Sequence, residues 1–444
     1  MARLHSLRRG LFLSLSLLLL SPPSAAALSS LAAAPAAPAP YVADVTAYGA
    51  KGDGATLDTS AIAAAIAAVA AHGGGVLLFP PGTYLTAPQN LTGDCELRLA
   101  NATLRAVADW GSWPVVAPLP SYGRGRDFPG PRYGAFLQIN NVSRVRIVGE
   151  GGADANAIDG QGAGWWLGKK NGTLRLTPGH LIETMWSADV EIEGVTLVDS
   201  PFWNVHLWSS TRLHVHDVRV RAPGDSPNTD GFDPDSSAHV LIERVDVSNG
   251  DDCIAIKSGW DGPGVAYGVP TVNVTFRDAV CDSTQHAGNC IAIGSEMSGG
   301  VEGVVVSNVT CVNSGTLIDI KSTLGRGGFI RNVSVADCVI TGSVETALRA
   351  ADDYGDNNGP VNQTLVPVVG GISIARVSCA PGAAVGAAGF FEGLCSRAAS
   401  CGEITGVALS DIALGAAPQG SWHCANVTGA SANVSPAPCS QLQR

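Results

Sequence analysis

Five aspartates between residues 225 and 260 carry the most evident chemistry in this 444-residue chain. Asp230, Asp233, Asp235, Asp251 and Asp252 sit in Gly- and Ser-rich turns, separated by the alternating run Val240-Leu241-Ile242-Glu243-Arg244-Val245-Asp246-Val247. Carboxylates brought close raise one another's pKa and cost stability, so a cluster of them calls for a use. One such use is glycosidic-bond cleavage, where one carboxyl group protonates the leaving oxygen and another activates water or attacks the anomeric carbon. Asp225, Asp233 and Asp235 also fit a plainer role as turn caps that bond their own backbone. The doublet Asp251-Asp252 fits that role less well, since it stands between Gly250 and the apolar run Cys253-Ile254-Ala255-Ile256.

The elements that must position these groups repeat. Asp230 and Asp251 are 21 residues apart, and short β units recur about once per 20 to 30 residues, as in a solenoid whose repeats touch only their neighbours. Examples are Val145-Arg146-Ile147-Val148, Val190-Glu191-Ile192, Leu213-His214-Val215-His216, Val272-Asn273-Val274-Thr275-Phe276 and Val333-Ser334-Val335, broken by Gly, Asn and Ser. Little helical periodicity intervenes, which favours an all-β solenoid over a sandwich or barrel. Stacked coils bring equivalent positions to roughly 4.7–4.9 Å, so Asp230, Asp251 and Asp252 converge on one patch. Ahead of these units, residues 59–72 read as an Ala-rich helix ended by Gly73-Gly74-Gly75 and followed by the strand Val76-Leu77-Leu78-Phe79. Because the glycines follow the helix instead of opening it, the order argues against a nucleotide-phosphate site.

In this setting Asn228-Thr229-Asp230, Gly250-Asp251-Asp252, Ile293-Gly294-Ser295 and Ile320-Lys321 resemble, in order and spacing, the polygalacturonase family of pectin-cleaving glycosidases. The resemblance runs from about Tyr41 to the C-terminus. It implies a single-stranded right-handed parallel β-helix, a pectin-lyase-like solenoid, of about ten coils with an N-terminal capping helix. It further implies hydrolysis of α-1,4-galacturonosyl linkages with inversion, Asp251 being the general acid and Asp230 with Asp252 holding and deprotonating the water. From the spacing of the aspartates alone, retention and inversion both stay open. A galacturonate carboxylate calls for cations, which Lys257, Lys321 and Arg326 can supply, with Asn228 and Asn289 as further substrate contacts; any single lysine also fits a solvated surface or an ion pair with an aspartate.

Two departures stand out. The family's His-Gly before the Ile-Gly-Ser strand is replaced by Gln285-His286-Ala287-Gly288-Asn289-Cys290, so His286 reaches the site only through a longer turn, and Asn289 stands where His is expected. The family's Arg-Ile-Lys is here Asp319-Ile320-Lys321, and alternation on a strand sets Asp319 beside Lys321 in the same cleft. The segments Ile291-Ala292-Ile293-Gly294-Ser295-Glu296-Met297 and Gly325-Arg326-Gly327-Gly328 resemble a plant, exo-acting branch. A hydrolase of branched pectin and a catalytically silent wall-binding protein are the competing readings.

Composition agrees with a protein outside the cell, while the charge balance sets a condition on an acidic substrate. The net charge of −11 (Lys plus Arg 27, Asp plus Glu 38) argues against nucleic acid as partner, and leaves an acidic substrate to a local basic patch. Residues 1–27 read as a signal peptide, with Arg3, Arg8 and Arg9 ahead of an apolar run too short to span a bilayer. Residues 28–40 read as a flexible Ala/Pro-rich lead and 41–444 as one glycosidase domain; a secreted monomer without membrane contact after cleavage is expected. Ten Asn-X-Ser/Thr sequons, among them Asn90, Asn171 and Asn308, agree with secretion. Of the 11 cysteines, Cys253, Cys281, Cys290, Cys311 and Cys338 lie in strand-like runs and read as buried thiols, whereas Cys379, Cys395, Cys401, Cys424 and Cys439 read as disulfide partners. Without a Cys-X-X-Cys pair no zinc site is indicated, and no cofactor is expected. Aromatic residues near the acidic stretch, Trp165, Trp166, Trp186, Phe202, Trp203, Trp208 and Trp260, read either as a platform for sugar rings or as core packing.

Overall fold

Strict alternation of apolar and polar residues, interrupted every coil by a residue that tolerates φ > 0, winds the chain into a right-handed parallel β-helix. The structure, a computed structural model, describes residues 40–283, 288–394, 402–415 and 417–443. The signal peptide, nearly all of the Ala/Pro-rich lead, His286, Cys395 and Cys401 lie outside the described residues.

Eleven short strands stack in parallel from Gln89–Leu91 to Trp422–Ala425, one more than the ten or so coils expected. Their inward column Val205, Phe232, Ile254, Ile291, Ile318 and Leu348 is in exact vertical register and fully buried. Each such side chain contributes about 1.5–3 kcal/mol of burial. Of the other strands among the described residues, Val115–Val116 and Arg132–Tyr133 form a separate antiparallel pair, and 19 form a second sheet that wraps the other sides of the solenoid. In it Thr211–His216 and Arg219–Arg221 pair separately with the two halves of Ala238–Ser248, which bends at Arg244 (φ 51°). Asp217 (φ 53°) occupies the same bend one coil earlier, and the two side chains pair at 3.0 Å. Exposed pairs of this kind add at most about 1 kcal/mol, so the buried columns hold the fold.

The helix Thr59–Ala71 buries Ile62, Ala65, Ile66 and Val69 against the first coil, covering the open end of the sheets. Asp58 precedes it without capping it; its carboxylate instead accepts the Lys51 and Gly52 amides at 2.7 and 3.1 Å.

Cysteine pairing differs from the sequence expectation. Cys253–Cys281 and Cys290–Cys311 are disulfides with Cα separations of 5.8 and 6.0 Å, whereas only Cys338 of that group is a buried thiol. Two inward-pointing positions on different sides of one narrow coil face each other across the core, which separations of 28 and 21 residues do not reveal. Cys424–Cys439 pair as expected.

Candidate active site

Each aspartate of the cluster ends a turn just before a strand of the eleven-stranded stack. Asp230 leads into Phe232–Asp235, and Asp251-Asp252 lead into Ile254–Ile256 one coil on. The backbone ladder continues through these turns: Gly231 N–H donates to the Asp252 carbonyl at 2.9 Å, and Asn204 N–H to that of Asp230 at 2.8 Å. Asn249 buttresses both turns, donating through Nδ2 to Thr229 O (2.8 Å) and Asp252 O (3.0 Å), while Gly250 N–H donates to Thr229 Oγ1 at 3.1 Å. Asn, Thr and Gly at these positions therefore serve to stack one acidic turn on the next. One carboxyl oxygen from each of Asp230, Asp251 and Asp252 lies within 4.8 Å of the other two.

The three environments are unlike. Asp252 is buried and accepts three hydrogen bonds, from Asn289 N (2.9 Å), Asn289 Nδ2 (2.7 Å) and Lys321 Nζ (2.7 Å). Asp230 is buried beside Lys257 Nζ at 3.5 Å, with Oδ1 unpartnered; burial raises its pKa against the pull of Lys257. Asp251 is half-buried, and its Oδ1 accepts from the Asp252 amide at 2.9 Å. Burial first, then the negative charges of Asp230 and Asp252, push the Asp251 carboxyl well above the ordinary carboxylate range. Asp251 is thus held towards its protonated form, whereas the hydrogen-bond partners of Asp252 are all donors.

Two lysines hold the cluster together. Lys257 is 4 % exposed and lies 3.3 Å from Asp233, 3.5 Å from Asp230 and 3.5 Å from Glu296, with its ammonium 4.4 Å from the centre of the Trp203 ring. Burial alone would lower its pKa, but Glu296, Asp233 and Asp230 outweigh that and raise it well above the usual lysine value. Lys321 is likewise raised, its burial outweighed by Asp252. Glu296 is held well below its ordinary value by Arg126 and Lys257 despite burial.

Asn228, Lys257 and Lys321 join the three aspartates in lining one cleft of about 320 Å³. Asn228, in the left-handed region at φ 56°, accepts from Lys169. Arg126, Trp203, Ser295, Glu296 and Tyr354 complete the walls; of these only Trp203 was a sequence candidate for the groove, and the other four went unrecognised as site residues. Trp203 is therefore wall as well as packing, and the position of Glu296 directly after Ile293-Gly294-Ser295 is the signal that could have pointed to it.

Other residues fall elsewhere than expected. Arg326 is fully buried and bonds Ser295 O at 2.6 Å and Asp261, so it ties loops together behind the cleft and does not face a substrate. Asn289 spends both ends of its amide on Asp252 and Thr316, which makes it a positioning residue. Asp233 and Asp235 are not turn caps: both are buried in a strand, Asp235 accepting from Tyr122 Oη at 2.6 Å and lying 3.3 Å from His206 Nε2. Asp319 pairs not with Lys321 but with Arg349, 2.8 Å away in the next strand and in direct register. A guanidinium thus stands one strand beyond the position where the family pattern carries it. Among the described residues, three sets of side chains converge closely enough to share an ion, namely Asp230-Asp251-Asp252, His180-Glu183-His206 and Glu191-His214-His216. In the first, Lys257 and Lys321 already supply the positive charge.

Comparison with known proteins agrees with this geometry. Residues 128–439 match the family model described as Glycosyl hydrolases family 28. A probable polygalacturonase of Vitis vinifera is 38% identical over 403 residues, 89% of this chain and 79% of that protein. An exopolygalacturonase of Zea mays is 32% identical over 238 residues, 52% of this chain and 50% of that protein. Among solved structures, a hyperthermoactive exopolygalacturonase from Thermotoga maritima superposes with a TM-score of 0.72 at 25% identity, covering 84% of this chain and 88% of that one. With a motif order, a solenoid and a carboxylate cluster that all agree, the chain belongs to glycosyl hydrolases family 28 and is a glycosidase.

Proposed function

We propose that the protein hydrolyses α-1,4-galacturonosyl linkages of pectin or polygalacturonate, outside the cell, as a monomer whose residues 41–444 act as one catalytic domain. The observation that carries this reading is the convergence of three aspartates within 4.8 Å, flanked by the buried cations Lys257 and Lys321. In it Asp251 donates its proton to the departing glycosidic oxygen, and Asp230 with Asp252 orients and deprotonates the attacking water. Lys257 and Lys321 keep the resulting charges tolerable and draw the substrate's acid group inward, which answers how an acidic protein handles an acidic polymer. Purified protein is expected to release reducing ends from de-esterified polygalacturonate; release of none would leave the wall-binding reading.

Stereochemistry is the second readout. The family resemblance implies inversion, whereas carboxyl oxygens within 4.8 Å are closer than the roughly 6.5–9.5 Å common in inverting pairs. We hold to inversion because Asp252 has both oxygens committed, to Asn289 and Lys321, and so suits holding water better than attacking carbon. Proton NMR during the first minutes of hydrolysis is expected to show the β-anomer; the α-anomer would assign one aspartate as a nucleophile. Activity should peak at mildly acid pH and fall as pH rises through the elevated pKa of Asp251, because only its protonated form donates. A profile flat to pH 8 excludes Asp251 as the acid.

Asp319→Arg is expected to weaken the fold and to bring no gain in kcat/KM on de-esterified polygalacturonate. It would set two guanidinium groups side by side in register with Arg349, at a site only 6 % exposed. A variant of undiminished stability and higher kcat/KM would instead place Asp319 in the cleft as a group that repels substrate.

A further inference from the structure

Of the two histidine-bearing sets that converge on one point, His180-Glu183-His206 is closed from solvent, and its Glu183 is already held by Arg132 at 3.0 Å. The other, Glu191-His214-His216, lies on the outer face of the 19-stranded sheet, while the acidic turns lead into the eleven-stranded stack. Alternation puts it there: Val190, Ile192, Leu213 and Val215 are buried in the core, so Glu191, Glu193, His214 and His216 point outward. Parallel register then sets Glu191 beside His214 and Glu193 beside His216, a Glu-X-Glu strand against a His-X-His strand.

Both imidazoles face carboxylate oxygens through both of their nitrogens. His216 Nδ1 lies 2.7 Å from Asp217 and its Nε2 3.2 Å from Glu191 Oε1; His214 Nε2 lies 3.3 Å from Glu243 and its Nδ1 3.8 Å from the same Glu191 oxygen. A neutral imidazole has one N–H, so once that proton is spent on Asp217 or Glu243 the other nitrogen turns a lone pair towards an acceptor, which is repulsive unless a cation lies between. Protonating both rings answers this poorly, because their centres are only 4.2 Å apart and two like charges would meet. One divalent ion answers it for both rings at once. Arg146 leaves room for it, bonding Glu191 through Oε2 and Glu193 through Oε1, so that Glu191 Oε1 and Glu193 Oε2 turn to His216 Nε2 at 3.2 and 3.7 Å. Donors about 2.0–2.2 Å from a tetrahedral metal are about 3.3–3.6 Å from one another, close to the 3.2, 3.7 and 3.8 Å found here. Four carboxylates, Glu191, Glu193, Asp217 and Glu243, meet three guanidiniums, Arg146, Arg244 and Arg277, so the surroundings keep a net negative charge for a cation.

We propose that Glu191, His214 and His216 form a binding site for a divalent transition metal, zinc foremost, with Glu193 as fourth ligand and with Asp217 and Glu243 holding the outer nitrogens of the two imidazoles. Imidazoles joined by carboxylates are the donor set of such ions, whereas calcium and magnesium take oxygen donors. A carboxylate on the far nitrogen of each ligating histidine fixes its tautomer and ring orientation. The ion joins the strand Ala188–Glu193 to the strand Thr211–His216 one coil on, and so serves stability, not hydrolysis.

Protein freed of metal with EDTA and carrying no histidine tag is titrated by calorimetry with Zn²⁺ and, separately, with Ca²⁺. Wild type should show one strong Zn²⁺ event and bind Ca²⁺ far more weakly. His214→Gln and His216→Gln should each weaken that event by more than the roughly 10- to 100-fold that losing an outer partner of a metal ligand costs. Saturating Zn²⁺ should raise the thermal midpoint of the wild type and leave that of either variant in place. His216 is 8 % exposed and its replacement can perturb folding; His214, half-buried, then carries the test. No strong Zn²⁺ event in the wild type, the same affinity in His214→Gln as in the wild type, or Ca²⁺ bound as well as Zn²⁺ overturns the site.

Discussion

Asp251→Asn is expected to lose turnover by about 10²- to 10⁴-fold while binding of oligogalacturonate stays within a small factor of wild type. The amide has the shape of the acid and can still accept from the Asp252 amide, so the turn stays in place. What it cannot do is release a proton to the leaving oxygen. The substitution also removes a charge that Asp230 and Asp252 would otherwise oppose on ionisation, so stability should hold or rise as pH increases. The sign follows from linkage: a carboxyl whose folded pKa is raised adds stability below its unfolded pKa, and that contribution is lost as pH climbs through the folded value. Steady-state kinetics with calorimetric binding on the same preparation checks this. Turnover within about threefold of wild type takes the acid role away from Asp251, and lost affinity with intact turnover makes it a binding group.

The readable and unreadable parts of this molecule divide along one physical line. Features fixed within a coil were legible: alternation gave the strands, the Ala-rich run gave the helix Thr59–Ala71, and Asn228-Thr229-Asp230 with Gly250-Asp251-Asp252 marked the acidic turns. Contacts between coils were not, because coil length varies and vertical register depends on every turn between. Asp252 meets Asn289 across 37 residues and Lys321 across 69, while Arg126 reaches Glu296 across 170. Asp319 shows the cost of reading one strand alone: its neighbour at i+2, Lys321, is drawn away by Asp252, and its true partner, Arg349, is the residue in register on the next strand. Arg326 shows the same from another side, since a Gly-Arg-Gly-Gly loop reads as exposed until Asp261 and Ser295 are seen to enclose it.

Lys257→Met is expected to cost about 3–5 kcal/mol of stability at neutral pH, and clearly less near pH 4. The ammonium is the cation shared by Asp230, Asp233 and Glu296, and methionine fills similar volume without charge. Neutral pH then requires the fold either to ionise buried carboxyl groups with no partner or to keep them protonated, and both are unfavourable. In the wild type, Asp233 already sits well above the ordinary carboxylate range through burial and the nearby Asp230, with Lys257 acting against that rise. Removing Lys257 raises it further, so the variant's deficit grows as pH climbs from the unfolded aspartate value towards neutrality. Wild-type Lys257 has the opposite window: its own raised pKa supplies stability that persists below the unfolded lysine value and fades only in strong alkali. Denaturant midpoints for both proteins at pH 4 and pH 7 separate these terms. A deficit that is equal at the two pH values assigns Lys257 to packing against Trp203 and removes it as the counter-ion of the aspartate cluster.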